Sequence, residues 1–241
     1  TAAATVPTVF VTVQVAFSHA ACMMQGDKVL VHAAAGGVGL AALQVVQASG
    51  GHIVASAGSS KKRGVLRSLG VCDVVSSRDV SYPSSLHTVL PVDIVLNSLT
   101  SSGMVGATLS TLRAGGRMVE IGKRDIWCAG AIQRERRDLS YKLVAVDFLP
   151  PLVTRKALTK TAEYLAEGDI KALPQVCHSL SCVHSALRQM SQARHVGKVV
   201  VFPKRVSQIV EGEHALVLGG SGSLGSSVCA WRGETVSNAS V

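Results

Sequence analysis

The chain has 241 residues with a formal net charge of +9, 47% apolar residues and 16% charged residues. This composition is typical of a globular protein with a buried sheet, and it excludes a disordered or disulfide-stapled chain. Only 4% of the residues are aromatic, so the positive charge is a weak argument for nucleic acid, and an acidic ligand such as a phosphate ester accounts for it equally well.

The first apolar stretch, residues 6–24, contains Pro7, Gln14, Ser18 and His19 and has no basic segment before it. It therefore fits neither a signal peptide nor a membrane span, and we predict a packed helix. The chain begins at Thr1 without an initiator methionine, which suggests that a segment precedes it.

From Lys28 onwards, short apolar runs alternate with longer amphipathic stretches, as a parallel sheet with covering helices requires. The predicted strands are residues 29–33, 53–57, 74–76, 94–97, 117–121, 143–147 and 198–202. The predicted helices are residues 38–49, 60–69, 102–112, 154–167 and 183–192. The predicted fold class is therefore α/β, a Rossmann-type doubly wound parallel sheet.

The alternation of apolar runs and amphipathic stretches ends after Phe202. We therefore predict three parts: a cofactor domain over residues 1–203, a linker over 204–213 and the start of a second domain over 214–241. The last part runs from a strand into a second glycine-rich turn at residues 219–225 and stops before another β-α unit is complete.

A glycine-rich turn follows the first predicted strand, with Ala34, Gly36 and Gly39 at the three small positions of the dinucleotide fingerprint. Such a turn lets backbone N–H groups and a helix N-terminus meet a pyrophosphate. The alternative is a merely tight β-α turn. The order strand, turn, helix, strand favours the cofactor interpretation.

The second predicted strand ends without the acidic residue that an NAD-selective site presents to the ribose, because no Asp or Glu occurs between Gly50 and Val71. Ser59 and the cations Lys61, Lys62 and Arg63 follow instead. They suit the 2′-phosphate of NADPH, since Lys and Arg form charge-assisted bonds with phosphate. The alternative is a solvated helix start, although cations there oppose the helix dipole.

Polar groups follow two later strands and precede the last one: Asn97, Ser98 and Leu99; Gly122 and Lys123; Gly197 and Lys198. The groups that follow strands, at residues 97–99 and 122–123, contact ribose or nicotinamide in one interpretation and cap the following helices in the other. Gly197 and Lys198 belong to a glycine turn with cations before the last strand.

The six cysteines are scattered without a C-x-x-C pair, so the sequence predicts reduced cytoplasmic thiols, no disulfide framework and no metal site. No spacing indicates a hydrolytic triad or a phosphate-hydrolysing loop. Hydride transfer needs fewer catalytic side chains, because the cofactor supplies the chemistry.

Four segments resemble the medium-chain dehydrogenase/reductase family, and together they resemble the enoyl reductase domain of type I polyketide synthases and animal-type fatty acid synthases. They are residues 29–39 (VLVHAAAGGVG), 93–99 (DIVLNSL), 119–123 (VEIGK) and 190–200 (MSQARHVGKVV). The resemblance covers residues 1–203, and residues 1–17 resemble the helix that enters the cofactor domain. It implies that the N-terminal substrate lobe of the family is missing.

The resemblance implies NADPH-dependent reduction of the α,β double bond of an enoyl thioester on acyl carrier protein, without zinc. Hydride goes to the β carbon and a proton to the α carbon, with Lys62 and Asp79 at positions similar to the family's proposed proton donors. The implied partners are the acyl carrier protein, other synthase domains and a second copy in a homodimer, with no nucleic acid or membrane partner. The implied cofactor contacts are Ala34, Gly36, Gly37, Val38, Gly39, Ser59, Lys62, Arg63, Asn97, Ser98, Leu99, Gly122, Lys123, Gly197 and Lys198.

Residues 216–225 (LVLGGSGSLG) resemble the start of a ketoreductase domain, which follows the enoyl reductase in fully reducing synthase modules. Two alternatives stay open. One is a stand-alone enzyme similar to quinone reductases, and the other is an inactive NADPH-binding fragment.

Overall fold

The computed structural model describes residues 1–203. The predicted linker and the second glycine-rich turn lie outside the described residues, so the proposed division into domains stays a prediction.

A six-stranded parallel sheet forms the centre of the described part, with strand order β3-β2-β1-β4-β5-β6. Its strands are β1 (Lys28–Val31), β2 (His52–Ala57), β3 (Asp73–Ser76), β4 (Val92–Asn97), β5 (Leu112–Glu120) and β6 (Ser140–Leu143). This is the order of a dinucleotide-binding doubly wound sheet, in which ligands bind where the order reverses, beyond the carboxyl ends of β1 and β4. The predicted fold class is confirmed.

Seven α-helices accompany the sheet in the described part. They are α1 (Pro7–Gln14), α2 (Gly37–Ala48), α3 (Ser60–Ser68), α4 (Met104–Thr111), α5 (Ala129–Glu135), α6 (Pro151–Glu167) and α7 (Val183–Ser191). Side chains of β1 alternate between two cores: Val29 and Val31 pack with α1 and α2, while Leu30 packs with α4. Both faces of the central strands are therefore buried, which explains their continuous apolar runs.

Helix α1 packs against α2 and α6, and a π-helical turn at Val15–Ala20 extends it. The run Ala2–Ala20 is long and apolar enough to cross a membrane by composition, but 61% of its apolar window is buried inside the protein. Phe10 and Phe17 are almost completely buried. The run is thus the packed core helix that the sequence predicts.

Several elements differ from the prediction. The sixth strand spans Ser140–Leu143 rather than residues 143–147, and Val146–Phe148 forms a 3₁₀ turn. Helix α5 and a further strand, β7 (Gln175–Ser179), were not predicted. The last strand, β8 (Lys198–Phe202), pairs in parallel with β7 outside the main sheet.

Candidate functional site

The glycine turn joins β1 to α2 and leaves no room for a side chain at Gly39. A Cβ at Gly39 would lie 2.5 Å from both Cα and the carbonyl oxygen of Ala34. Helix α2 therefore begins in direct contact with the turn, and its first N–H groups face the carboxyl end of the sheet. Ala33 adopts φ +48, a left-handed conformation that a tight turn requires and that L-residues rarely adopt.

The segment before β8 lies against this turn. The Gly197 N–H donates to the Ala35 carbonyl at 3.0 Å, and an isolated parallel bridge joins Gly36 to Gly197. A Cβ on Gly37 would lie only 2.7 Å from Cδ of Lys198, so Gly37 allows the lysine chain to cross the start of α2. The predicted residues of the turn and of the Gly197 segment thus come together.

Three cations meet at the carboxyl end of β2. Ser59 caps α3 by accepting the Lys62 N–H at 3.3 Å, and Arg63 Nη1 donates to the Ala57 carbonyl at 3.2 Å. The pKa of the Lys62 ammonium is lowered. Burial is the larger cause, and the nearby positive charge of Arg78 is the smaller one. Arg78 also lies against Gly58, since a Cβ there would be 2.7 Å from its Nε.

Arg78 was missed from the sequence, although it follows β3, the strand that pairs with β2. Cations after adjacent parallel strands share one edge of the sheet, and this rule points to Arg78 as a member of the group.

Lys62 also reaches across to the segment before β8, where its Nζ donates to the Ala193 carbonyl at 2.8 Å. Asp79 is exposed, and its Oδ1 accepts the Ser81 N–H at 2.9 Å. Hydrogen bonds from Ser81 lower the pKa of Asp79, so the group is an ion near neutral pH. No hydrogen bond or ion pair joins Asp79 to Lys62 within residues 1–203.

A buried carboxylate connects the ends of β4 and β5. Glu120 is fully buried; its Oε2 accepts from Asn97 Nδ2 at 2.5 Å and its Oε1 accepts the Gly122 N–H at 2.6 Å. Asn97 Oδ1 in turn accepts the Leu99 N–H at 3.3 Å. Burial raises the pKa of Glu120. The predicted residues Asn97, Leu99 and Gly122 are therefore held in one network by Glu120, which sequence reasoning did not select.

Two buried polar atoms at this edge have no hydrogen-bond partner among the described residues: Ser98 Oγ and His195 Nδ1. Unpaired buried polar atoms are rare and call for a ligand or water. Lys123, which the sequence also predicts as a cofactor contact, already has a partner, because its exposed ammonium forms an ion pair with the exposed carboxylate of Asp147.

Beneath the glycine turn, His32 lies in a buried network with Ser56, Tyr82 and Thr108. His32 Nδ1 is 2.8 Å from Ser56 Oγ, and its Nε2 is 3.2 Å from Thr108 Oγ1 and 3.3 Å from the Tyr82 hydroxyl. Burial lowers the pKa of His32 to about 3. The ring is therefore neutral and supports the turn.

The site combines a helix N-terminus crossed by a lysine chain, glycines that permit close approach, cations that form no ion pair in the described residues, and unpaired polar atoms. This set suits a dinucleotide that carries an extra phosphate. By contrast, residues 1–203 contain no group of three His, Cys, Asp or Glu side chains that could hold a metal ion.

Comparisons with known proteins agree with this geometry. A family model described as zinc-binding dehydrogenase matches residues 69–201, although no zinc ligand set is found in the described part of the chain. A mycocerosic acid synthase-like polyketide synthase of Mycolicibacterium smegmatis is 37% identical over 92% of this chain. The chain spans only 12% of that relative.

Solved structures show the same similarity. The CurK enoyl reductase has a TM-score of 0.80 at 36% identity, covering 85% of this chain and 63% of that one. The nucleotide-binding subdomain of the PpsC enoylreductase domain from Mycobacterium tuberculosis has a TM-score of 0.61 at 30% identity, covering 69% and 97%. The quinone oxidoreductase of Thermus thermophilus, solved also with NADPH, has a TM-score of 0.69 at 26% identity, covering 81% and 64%.

Proposed function

The chain belongs to the zinc-binding dehydrogenase family of medium-chain reductases, among the enoyl reductases of polyketide synthases, and from this premise we propose that it is the cofactor-binding part of an NADPH-dependent enoyl reductase. Its relatives are domains of large multidomain synthases. The proposed partners are therefore other synthase domains and an acyl carrier protein, in a cytoplasmic enzyme that forms homodimers.

The observation that carries the cofactor proposal is the group formed by Lys62, Arg63 and Arg78 at the end of β2, none of which forms an ion pair with a carboxylate in the described residues. These cations would hold a 2′-phosphate. The start of α2 and Gly36 to Gly39 would hold the pyrophosphate, with Lys198 across it, while Asn97, Ser98, Leu99 and Gly122 would contact ribose and nicotinamide.

Bound NADPH would supply the hydride that reduces the β carbon of an enoyl thioester. The chain's own groups would orient the cofactor and provide a proton for the α carbon. Lys62 is the better of the two proposed donors, because its lowered pKa makes its Nζ a stronger acid, whereas Asp79 carries no proton near neutral pH. The position of Lys62 beside Arg63 and Arg78 equally supports the phosphate role.

The remaining part of an enoyl reductase would cover an apolar stripe that runs from the turn before α7 along that helix. Leu180, Val183, Leu187 and Met190 repeat at helical spacing, and all four are exposed in this chain. Over a third of the CurK enoyl reductase has no counterpart here. We propose that this stripe, called the α7 stripe below, packs against that further part of the fold.

Cofactor selectivity tests the proposal. The Lys62→Ala variant should raise the Kd for NADPH roughly tenfold, because one charge-assisted bond to phosphate is lost, and should leave the Kd for NADH unchanged. Fluorescence titration measures both constants. The Lys171→Ala variant is the matched control, since Lys171 is an exposed lysine that follows α6 and is not among the predicted cofactor contacts. Equal losses for both cofactors would remove the 2′-phosphate role.

The substrate needs a second test, on the longer synthase that contains this chain. Crotonyl thioester should be reduced with NADPH, and a simple quinone should not. Reduction of the quinone alone would favour the second candidate, a quinone reductase, to which the Thermus thermophilus structure is similar.

A further inference from the structure

A cationic groove lies between the π-helical turn and the outer face of α6, and it shares no lining residue with the candidate dinucleotide site. Its deepest part is a cavity of about 190 Å³. This cavity is lined by Gln14, Ser18, His19, Lys156, Ala157 and Lys160. A shallower cavity of about 290 Å³ continues along α6 past Leu152 and Arg155. The name α6 groove is used below for both.

The two walls of the α6 groove follow from the sequence of each helix. Positions 152, 155, 156, 159, 160 and 163 of α6 recur at helical spacing and form its outer face. Ala157 is buried at the floor of the groove, and Thr161, one turn further along α6, is buried as well. On the other wall, the Ala21 N–H donates to the Ala16 carbonyl at 2.9 Å, five residues back, which widens the helix at Ser18 and His19. Such π-turns are rare and concentrate at functional sites.

The most informative group in the α6 groove is the amide of Gln14. Gln14 is only 3% exposed, and its Nε2 has no hydrogen-bond partner among the described residues. Its Oε1 accepts from Ser18 Oγ at 3.5 Å. A buried donor without an acceptor costs free energy, and proteins almost always satisfy it. The amide therefore indicates that an acceptor from outside residues 1–203 occupies the cavity.

The charge of the α6 groove indicates the sign of that acceptor. Arg155, Lys156 and Lys160 line it, and Glu163 is its only carboxylate among the described residues. Glu163 pairs with Lys160 at 3.2 Å, and Lys160 Nζ also lies 4.5 Å from the Tyr164 ring centre. Neither Arg155 nor Lys156 has an ion-pair partner in the described part of the chain. A net positive groove with a buried neutral donor suits an anion.

We propose that the α6 groove is a second anion site, which binds the phosphate group of a small molecule and is separate from the dinucleotide site. Donors come from two walls, namely Gln14 Nε2 on one side and the ammonium groups of Lys156 and Lys160 on the other. Three cations against one carboxylate favour a phosphate, which carries a charge of about −1.5 to −2, over a carboxylate, which carries a single negative charge. The phosphate comes either from inorganic phosphate or from an organic monoester, whose organic part would lie along α6 beside Leu152.

Calorimetric titration of the chain with inorganic phosphate, in a buffer free of other anions, tests the proposal. The Lys156→Gln variant should weaken phosphate binding tenfold or more. The Lys171→Gln variant is the matched control, since Lys171 is an exposed lysine outside the α6 groove, and its affinity should stay unchanged. Equal affinities in the two variants would overturn the proposal.

The Gln14→Leu variant separates binding from folding. It removes the unpaired donor, so its melting temperature without phosphate should be unchanged or higher, while the rise caused by phosphate should disappear. Retention of that rise would overturn the proposal. Butyl phosphate distinguishes the sources, because tighter binding than inorganic phosphate indicates an organic monoester.

The α6 groove must also be separated from the proposed cofactor site, which contains cations of its own. Phosphate binding to the Lys62→Gln variant should match the unsubstituted chain. Loss of all binding in this variant would assign the phosphate to the end of β2 and overturn the second site, while leaving the NADPH proposal intact.

Discussion

His32 shows how a titratable side chain can serve the turn without taking part in proton transfer. Its ring is fully buried among three hydroxyl groups, and burial holds its pKa at about 3, well below the value of 6.5 for an unperturbed histidine. Burial likewise raises the pKa of Tyr82 to about 12. Both groups are therefore neutral around neutral pH, and the network contributes hydrogen bonds rather than charge.

This burial makes stability dependent on pH. The pKa of His32 is depressed in the folded state, so the unfolded chain binds a proton more readily below pH 6.5. The contribution of the buried neutral ring to the free energy of unfolding is therefore fully present above pH 6.5 and is lost as the pH falls towards 3. The expected loss is roughly 1 kcal/mol per pH unit. Urea unfolding between pH 4 and 7 should show a flatter profile for His32→Gln than for the exposed-site control His52→Gln. Parallel profiles for the two variants would contradict this assignment.

Glu120 offers a second prediction at the residue scale. Its two oxygens accept from two donors, Asn97 Nδ2 and the Gly122 N–H. A glutamine can satisfy only one, so Glu120→Gln should lower the free energy of unfolding by about 1–3 kcal/mol at pH 7. It should also weaken NADPH binding, because Asn97 and Gly122 lose their fixed orientation.

The double variant Glu120→Gln with Asn97→Asp reverses donor and acceptor, and it should recover part of the lost stability. Chemical denaturation of both single variants and the double variant measures the coupling. Strictly additive effects would show that the two side chains do not act as a pair.

Among the elements, the junction of β1 and α2 depends most on one residue. Gly39→Ala would place a Cβ 2.5 Å from the backbone of Ala34, and backbone atoms cannot move aside without shifting the helix. We expect a loss of about 1–3 kcal/mol in the free energy of unfolding and weaker NADPH binding.

Gly64→Ala in α3 is the matched control, because no atom lies within 4 Å of its added Cβ. It should raise stability by about 0.5–1 kcal/mol. Thermal unfolding with and without NADPH measures both variants. A tolerated Gly39→Ala would mean that α2 does not need its direct contact with the turn.

Sequence patterns predicted the elements that are buried on both faces and missed those that are not. Central strands such as β1 and β4 are continuous apolar runs because two cores cover them. Strand β6 is mostly exposed and has no apolar pattern of its own. The predicted strand was therefore placed on the apolar residues just after it, at 143–147. Strand β7 contains polar, half-buried residues, and α5 buries only Ile132. Neither has the periodicity on which such predictions depend.

The site was predictable to a similar degree and for a related reason. The glycine turn, Ser59 and Asn97 are local signals that follow strands directly. Glu120 and Arg78 act through contacts between strands, and the orphaned Gln14 amide depends on the packing of α1 on α6. Such contacts have no short-range pattern in a single sequence.

At the scale of the whole molecule, the exposed α7 stripe should govern behaviour in solution. Leu187 is 61% exposed and lies near the centre of the stripe, and apolar patches of this kind promote association. The Leu187→Glu variant should reduce self-association of the isolated chain, as measured by sedimentation velocity, without lowering its melting temperature. An unchanged sedimentation profile would show that other surfaces associate.

The contact between Gly197 and the glycine turn has a consequence for biosynthesis. Ala35 and Gly197 are separated by most of the described chain, yet their backbone groups are hydrogen-bonded. The turn therefore emerges from the ribosome early but gains this neighbour only after Gly197 has been synthesised. The ability to bind the cofactor should arise late in translation, so that a nascent chain halted before Gly197 would hold a formed six-stranded sheet and an incomplete binding cleft.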